Sequence, residues 1–226
     1  MNDKEFYLDA IRDMVPEKDE NQLLTIFYSF LELEHLYDSA IELVKVQLNI
    51  FDNEFSMRFQ RNPIHNIESR IKSPQSIVGK LQRKGFAISP EAARKNLLDI
   101  AGVRVICCYI DDIYAIAELL AKGSGFNVIK VKDYIKNPKS NGYRSFHMIV
   151  NVPVHMSTGL QMAPVEIQIR TIAMDFWASL EHQLHYKSIG NKDISSTLTD
   201  KLKVCADSIY EIDGQMQDMF KQINEL

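Results

Sequence analysis

The chain has 226 residues, 46% hydrophobic and 25% charged, enough apolar material to bury a core and too much for intrinsic disorder. A net charge of −4 and a pI of about 5.9 exclude a protein whose main task is to coat nucleic acid or an anionic membrane. The charge is unevenly spread, however. Residues 70–84 carry +5 and no acid, residues 130–147 carry +4, and the other 193 residues therefore hold −13. Two basic islands in an acidic chain are either solvated faces or places where anions bind. The charged start MNDKEFYLDAIRD lacks the apolar stretch of a secretory signal, and no run approaches the ~18 apolar residues of a membrane span. Three cysteines, two of them adjacent, fit neither a disulfide framework nor a zinc spacing, so a cytosolic protein with reduced thiols is expected.

In chain order, a helix is predicted from Lys4 to Met14, stopped near Pro16. From Asn21 to about Arg61 there is neither Gly nor Pro, and apolar residues recur every three or four positions, which predicts one long amphipathic helix. The segment Ile67 to Lys72 is short. Ser73-Pro74 opens a helix that runs through Lys84 and closes at Gly85. Another helix fits Pro90 to Leu98, then a β-branched central strand at Val103 to Ile110 and a helix from Ile113 to Lys122. Strands follow at Val128–Tyr134, Phe146–Val152 and Val165–Thr171, the last two a hairpin-like pair, and helices at Ala173–Lys187 and Ser195 to about Ile223. The expected fold is α+β, a mixed β-sheet flanked by helices. It is read as one domain, with a helical N-terminal region (1–61), a core (62–190) and a C-terminal helix (191–226).

Chemistry concentrates in four places. Strand Val165–Thr171 alternates strictly, putting Glu166, Gln168 and Arg170 on one face and Val165, Ile167 and Ile169 on the other. That polar face is either a half-solvated sheet surface or a set of groups for a metal or nucleotide. Asp99 precedes the Ala101-Gly102 turn and an apolar strand; it either caps the turn or, with Glu166, holds Mg²⁺. Ser76, Lys80 and Arg83 share a helix face near its start, beyond Arg70 and Lys72, and suit a polyphosphate. The loop Tyr134–His147 joins turn formers to Lys139, Tyr143, Arg144 and His147, an aromatic face for a base with cations for phosphates. No GxxxxGK[ST] or GxGxxG occurs, which argues against a P-loop or Rossmann site. Glu181-His182-Gln183-Leu184-His185 lacks the order of a zinc motif.

Taken in order, R-I-K-S-P-x-S with K-L-x-R-K, D-I-A-G-V-R, K-N-P-K-S-N-G-Y-R-S-F-H, E-I-Q-I-R-T and M-D-F-W-A-S-L-E-H resemble the RelA/SpoT synthetase domain over residues 60–190. The short chain resembles a stand-alone small alarmone synthetase of the RelP-like branch, with a nucleotidyltransferase-like fold and no His-Asp hydrolase dipeptide. The resemblance implies transfer of the β,γ-diphosphate of ATP to the 3′-hydroxyl of GTP or GDP, with GMP left open, releasing AMP. It implies that Arg70 and Arg104 sandwich adenine, while Lys72, Ser76, Lys80 and Arg83 hold the ATP phosphates. Asp99 would bind Mg²⁺, and Glu166 would position or deprotonate the 3′-hydroxyl and share the metal. Tyr143 would stack on guanine, Lys139, Arg144 and His147 would meet the acceptor, Gln168 would line its pocket and Asp175 would face the guanine edge. A cytoplasmic homotetramer is implied. The segment Asn66-Ile67-Glu68-Ser69 departs from the Phe-x-Thr-Gly of the alarmone-sensing branch.

Two other readings compete. The basic islands with Tyr134, Tyr143 and Phe146 could form a single-stranded RNA surface, which leaves Asp99 and Glu166 unexplained. Another Mg²⁺-dependent nucleotidyl or phosphoryl transferase would differ in its leaving product.

Overall fold

A computed structural model describes residues 19–187 and 192–224; the helix expected at Lys4–Met14 lies outside them. Helix α1 (Glu20–Phe59) is 40 residues long. Asp19 caps it, its carboxylate accepting from the Gln22 N–H at 2.9 Å. Leu23, Phe27, Phe30, Leu33, Tyr37, Ala40, Val44, Leu48 and Phe51 form its buried stripe. Strand β1 (Ile64–Ile71) follows, then α2 (Pro74–Arg83), α3 (Pro90–Asn96), β2 (Ala101–Cys107) and α4 (Ile110–Lys122). The chain continues with β3 (Asn127–Asp133), β4 (Phe146–Met156), β5 (Gly159–Thr171), α5 (Ile172–Lys187) and α6 (Lys192–Asn224). The five strands form one sheet in the order β1-β2-β5-β4-β3.

The local sequence explains most boundaries. Ser73 caps α2, its hydroxyl accepting from the Ser76 N–H, with Pro74 pre-shaped for the first turn. Gly85 takes φ +70° just past the helix, the left-handed conformation that glycine adopts without cost. Strands β4 and β5 are longer than expected because the alternation extends across the Ser157-Thr158 turn. Met148, Val150, Val152 and Val154 on β4 and Ala163, Val165, Ile167 and Ile169 on β5 are all buried. Strand β1, whose pattern of mostly exposed residues gives no clean alternation, was not expected as far back as Ile64.

The contacts sort into two compact units, the first of residues 1–44, 69–103 and 150–166, the second of 45–68, 104–149 and 167–226. The division passes through strands β1, β2, β4 and β5 rather than through a linker.

In the first unit, Tyr37 is fully buried and its hydroxyl finds no hydrogen-bond partner among the described residues. Burial pushes its phenol up to about 12, with the Arg94 charge opposing. An unpaired buried hydroxyl costs about 1–3 kcal/mol. Tyr37→Phe should therefore raise stability by about 1 kcal/mol in a urea titration, and a loss of that size would show that the hydroxyl is paired.

In the second unit, α6 is fastened by polar contacts along its length. Trp177 donates to the Leu202 carbonyl at 2.9 Å, Thr171 donates to the Asp213 carboxylate, and Gln217 accepts from the Asp111 N–H at 2.9 Å. Tyr109 stacks on Phe220 at 4.2 Å. Arg61 grips the buried Asp112 with two bonds of 3.0 and 2.6 Å, and Asp112 also accepts from the Tyr109 N–H ahead of α4. Among the described residues no helix is long and apolar enough to cross a membrane.

Candidate active site

The first unit contains Arg70, Lys72, Ser76, Lys80, Arg83, Asp99 and Glu166. Its centre is Asp99, whose Oδ2 accepts from Lys72 Nζ at 2.7 Å and from Lys80 Nζ at 2.5 Å. Lys72 also donates to the Asp99 carbonyl at 3.2 Å. Three elements meet here: Lys72 just past β1, Lys80 on α2, and Asp99 just ahead of β2. Burial alone would raise the Asp99 pKa, but the hydrogen bonds and charges of the two lysines outweigh it and hold the carboxyl below its ordinary value. The other oxygen, Oδ1, is buried and has no hydrogen-bond partner among the described residues. A hard, desolvated carboxylate oxygen of this kind suits a cation such as Mg²⁺, which takes one or two protein carboxylates and completes its shell with phosphates and water.

Ser76 lies one turn before Lys80 and is hydrogen-bonded to the Ser73 hydroxyl at 3.0 Å. Arg83 is exposed at the end of α2. Arg70 is exposed too, and its stem lies against Gly102, where a Cβ would sit 3.6 Å from Arg70 Cγ. Glu166, half-buried on β5, closes this unit.

The second unit contains Lys139, Tyr143, Arg144, His147, Gln168 and Asp175. The Tyr143 hydroxyl lies 2.8 Å from His147 Nε2. Tyr134 meets both rings edge-on, at 6.0 Å from Tyr143 and 5.1 Å from His147. Lys139 Nζ stands 4.6 Å from the centre of the Tyr143 ring. Gly142 explains how the loop carries Tyr143 there: its φ is +89°, and a Cβ would come within 2.6 Å of the Ala206 side chain on α6.

Two expected residues are placed differently from the rest of their groups. Arg104, expected beside adenine with the first cluster, belongs to the second unit, where it meets Glu68 at 3.1 Å and Asp175 at 3.5 Å. Arg144 is committed to α6: it bonds Asp207 at 2.9 Å and lies 4.5 Å over the Tyr210 ring.

One central residue was read from the sequence only as part of the polar face of β5, with no role of its own. Arg170 is 5% exposed and donates to the Tyr143 hydroxyl at 2.6 Å, to Gln168 Oε1 at 2.9 Å and to Asp175 Oδ1 at 3.0 Å. The alternation of β5 showed it beside Gln168 on the polar face, and the contacts with Tyr143 and Asp175 come only from the fold.

Residues 69–191 match the model of the region found in RelA/SpoT proteins. The chain is 42% identical over 189 residues to the GTP pyrophosphokinase YwaC of Bacillus subtilis, covering 84% of this chain and 89% of that protein. The crystal structure of small alarmone synthetase 2 from Bacillus subtilis superposes with a TM-score of 0.74 at 42% identity, over 83% of this chain and 96% of that one. Small alarmone synthetase 1 from the same organism, bound to its product pppGpp, superposes at 0.73 with 34% identity, over 83% and 94%. The chain belongs to the RelA/SpoT synthetase family and groups with its small alarmone synthetases.

Proposed function

We propose that the protein is a GTP pyrophosphokinase that moves the β,γ-diphosphate of ATP to the ribose 3′-hydroxyl of GTP or GDP and releases AMP. The observation that carries the reading is the lysine-paired Asp99 with its unpartnered Oδ1 in one unit, alongside the aromatic and cationic set around Tyr143 in the other. The chain is read as one synthetase domain whose core is residues 62–190.

Diphosphate transfer asks little covalent chemistry of the protein. It asks for in-line placement and for neutralisation of charge on the phosphate oxygens. The 3′-oxygen attacks the β-phosphorus, the bond from that phosphorus to the oxygen bridging the α-phosphate breaks, and AMP leaves with the electron pair. Glu166 takes the 3′-proton, a role that needs only a carboxylate within hydrogen-bond reach. Lys72, Lys80, Ser76 and Arg83 hold the ATP phosphates, and Arg70 lies over the adenine. Asp99 through Oδ1, together with Glu166, would hold Mg²⁺, which when bound offsets phosphate charge. Arg104 engages Glu68 and Asp175 through Nη1 in both ion pairs, which leaves the rest of its guanidinium outside them.

On the acceptor side, Tyr143 stacks on guanine, Gln168 and Asp175 border it, and Lys139 and His147 meet the phosphates. Arg144 serves this site indirectly, by tying the loop to α6. Tyr143→Ala should raise the KM for GTP about 10- to 100-fold, the worth of one stacked base, and leave the KM for ATP unchanged. Steady-state kinetics with each nucleotide varied in turn checks this; an equal rise for both would contradict the stacking role. The reading also includes a homotetramer in the cytosol; the exposed apolar residues Leu43, Val46, Ile50 and Met57 at helical spacing on α1 support self-association. Incubation with ATP, Mg²⁺ and each guanine nucleotide, resolved by chromatography, tests the function. AMP should accumulate in step with a new guanosine polyphosphate and only when the acceptor is present, whereas ADP as the leaving product would assign another transferase.

A further inference from the structure

We infer that Arg170 is the positioning residue through which the acceptor site reads guanine and refuses adenine, an inference that rests on the second unit's being the guanine site. A guanidinium is planar and carries five N–H donors in a fixed fork, so its bonds set the relative positions of everything they touch. Arg170 uses that fork on four side chains of its own unit: Ser145 Oγ at 3.4 Å, Gln168 Oε1 at 2.9 Å, the Tyr143 hydroxyl at 2.6 Å and Asp175 Oδ1 at 3.0 Å. With 5% exposure and this many bonds to protein, it is poorly placed to serve as a phosphate ligand. Three of these four are the ring expected to stack on the base, the amide expected to line its pocket and the carboxylate expected at the guanine edge.

The arrangement of charge points the same way. A buried guanidinium requires an anion, and Asp175, with 16% of its side chain exposed, provides it. Arg104 approaches the same oxygen, Oδ1, at 3.5 Å. Both cations thus hold one oxygen of the carboxylate and leave Oδ2 outside these bonds. A carboxylate held in this way is an acceptor-only edge. Guanine offers it two donors side by side, N1–H and the N2 amine. Adenine offers a lone pair at N1, which the carboxylate repels. Because ATP is itself a substrate, the acceptor site must reject adenine, and repulsion discriminates more strongly than a missing contact. Without Arg170 the Asp175 carboxylate loses its nearest cation and the Tyr143 hydroxyl one of its two partners, so both base-reading groups lose their fixed places together.

The test compares GTP with ITP, whose base keeps N1–H and lacks the amine, as acceptors at saturating ATP, in wild type, Arg170→Met and Asp175→Asn. Wild type should favour GTP over ITP about tenfold or more in kcat/KM, the worth of one hydrogen bond to a charged group. Both variants should bring that ratio to within about twofold of one. The loss should lie in the KM for GTP, with kcat retained within about threefold and the KM for ATP unchanged. A ratio preserved in either variant, or KM values for ATP and GTP that rise together, overturns the inference. If Arg170→Met fails to fold, Arg170→Lys decides in its place and should lower the ratio in the same way, because it keeps the positive charge beside Asp175 and removes the planar fork that fixes the four partners. A wild-type protein that forms no AMP from ATP and GTP overturns the parent reading instead, a result distinct from an active enzyme whose base ratio does not respond.

Discussion

Glu166→Gln should reduce GTP-dependent AMP formation at least about 1,000-fold, within the range assigned to a positioned general base, while ATP affinity stays within about threefold. The substitution keeps the length and shape of the side chain and removes both its ability to take a proton and the charge it would offer Mg²⁺. Val165 and Ile167 on either side are fully buried, so β5 holds the position of residue 166 whatever its charge. The fold should therefore survive, and the comparison isolates chemistry from structure. Single-turnover measurement with labelled ATP, alongside equilibrium binding of ATP, separates the two effects. If a tenth or more of the activity remained, Glu166 would not be the base, and the proton would have to leave by another route.

Asp99→Asn should also abolish turnover, but with a different binding signature. In the native protein Asp99 Oδ2 is shared by Lys72 and Lys80 at 2.7 and 2.5 Å. Removing the negative charge leaves two ammonium groups without their anion while they remain well placed for phosphate. ATP binding in the presence of a chelator should therefore be retained or become tighter, while the gain on adding Mg²⁺ disappears and turnover falls about 1,000-fold, in keeping with the several kcal/mol a bound metal contributes. Calorimetric titration of ATP with and without Mg²⁺ checks this, and an unchanged Mg²⁺ response would remove Asp99 from the metal site. The pH dependence follows from the same pairing. The two lysines hold the folded-state Asp99 carboxyl below its ordinary value, against the opposing effect of burial, so its contribution to stability is fully present above the ordinary carboxylate range. It is lost as the pH falls through the depressed value, and the Asn variant should lack this component of acid unfolding.

The basic residues of the first cluster were legible because helical spacing is rigid: Ser76 and Lys80 must share a face whatever the rest of the chain does. Asp99 could be singled out but not assigned, since capping and metal binding look alike in sequence; the two lysines on one of its oxygens are visible only in the fold. The polar face of β5 was equally plain, because a strand alternates without exception. Arg170 nevertheless stood there only as one of that face's three polar groups, since its partners Tyr143 and Asp175 lie on a loop and a following helix whose approach no local pattern encodes. Arg144 shows the converse. Within a cationic loop it reads as a phosphate ligand, and only the docking of α6, some sixty residues later in the chain, reveals what it holds. Strand β1 was underestimated because its side chains are mostly exposed and its pairing with β2, rather than its own composition, makes it a strand.

The most direct test of the central claim follows each phosphorus atom. With ATP labelled separately at the β and γ positions and GTP as acceptor, both labels should appear together in the guanosine product, leaving AMP with only its α-phosphate. Transfer of the γ label alone, with the β label left in ADP, would contradict the account.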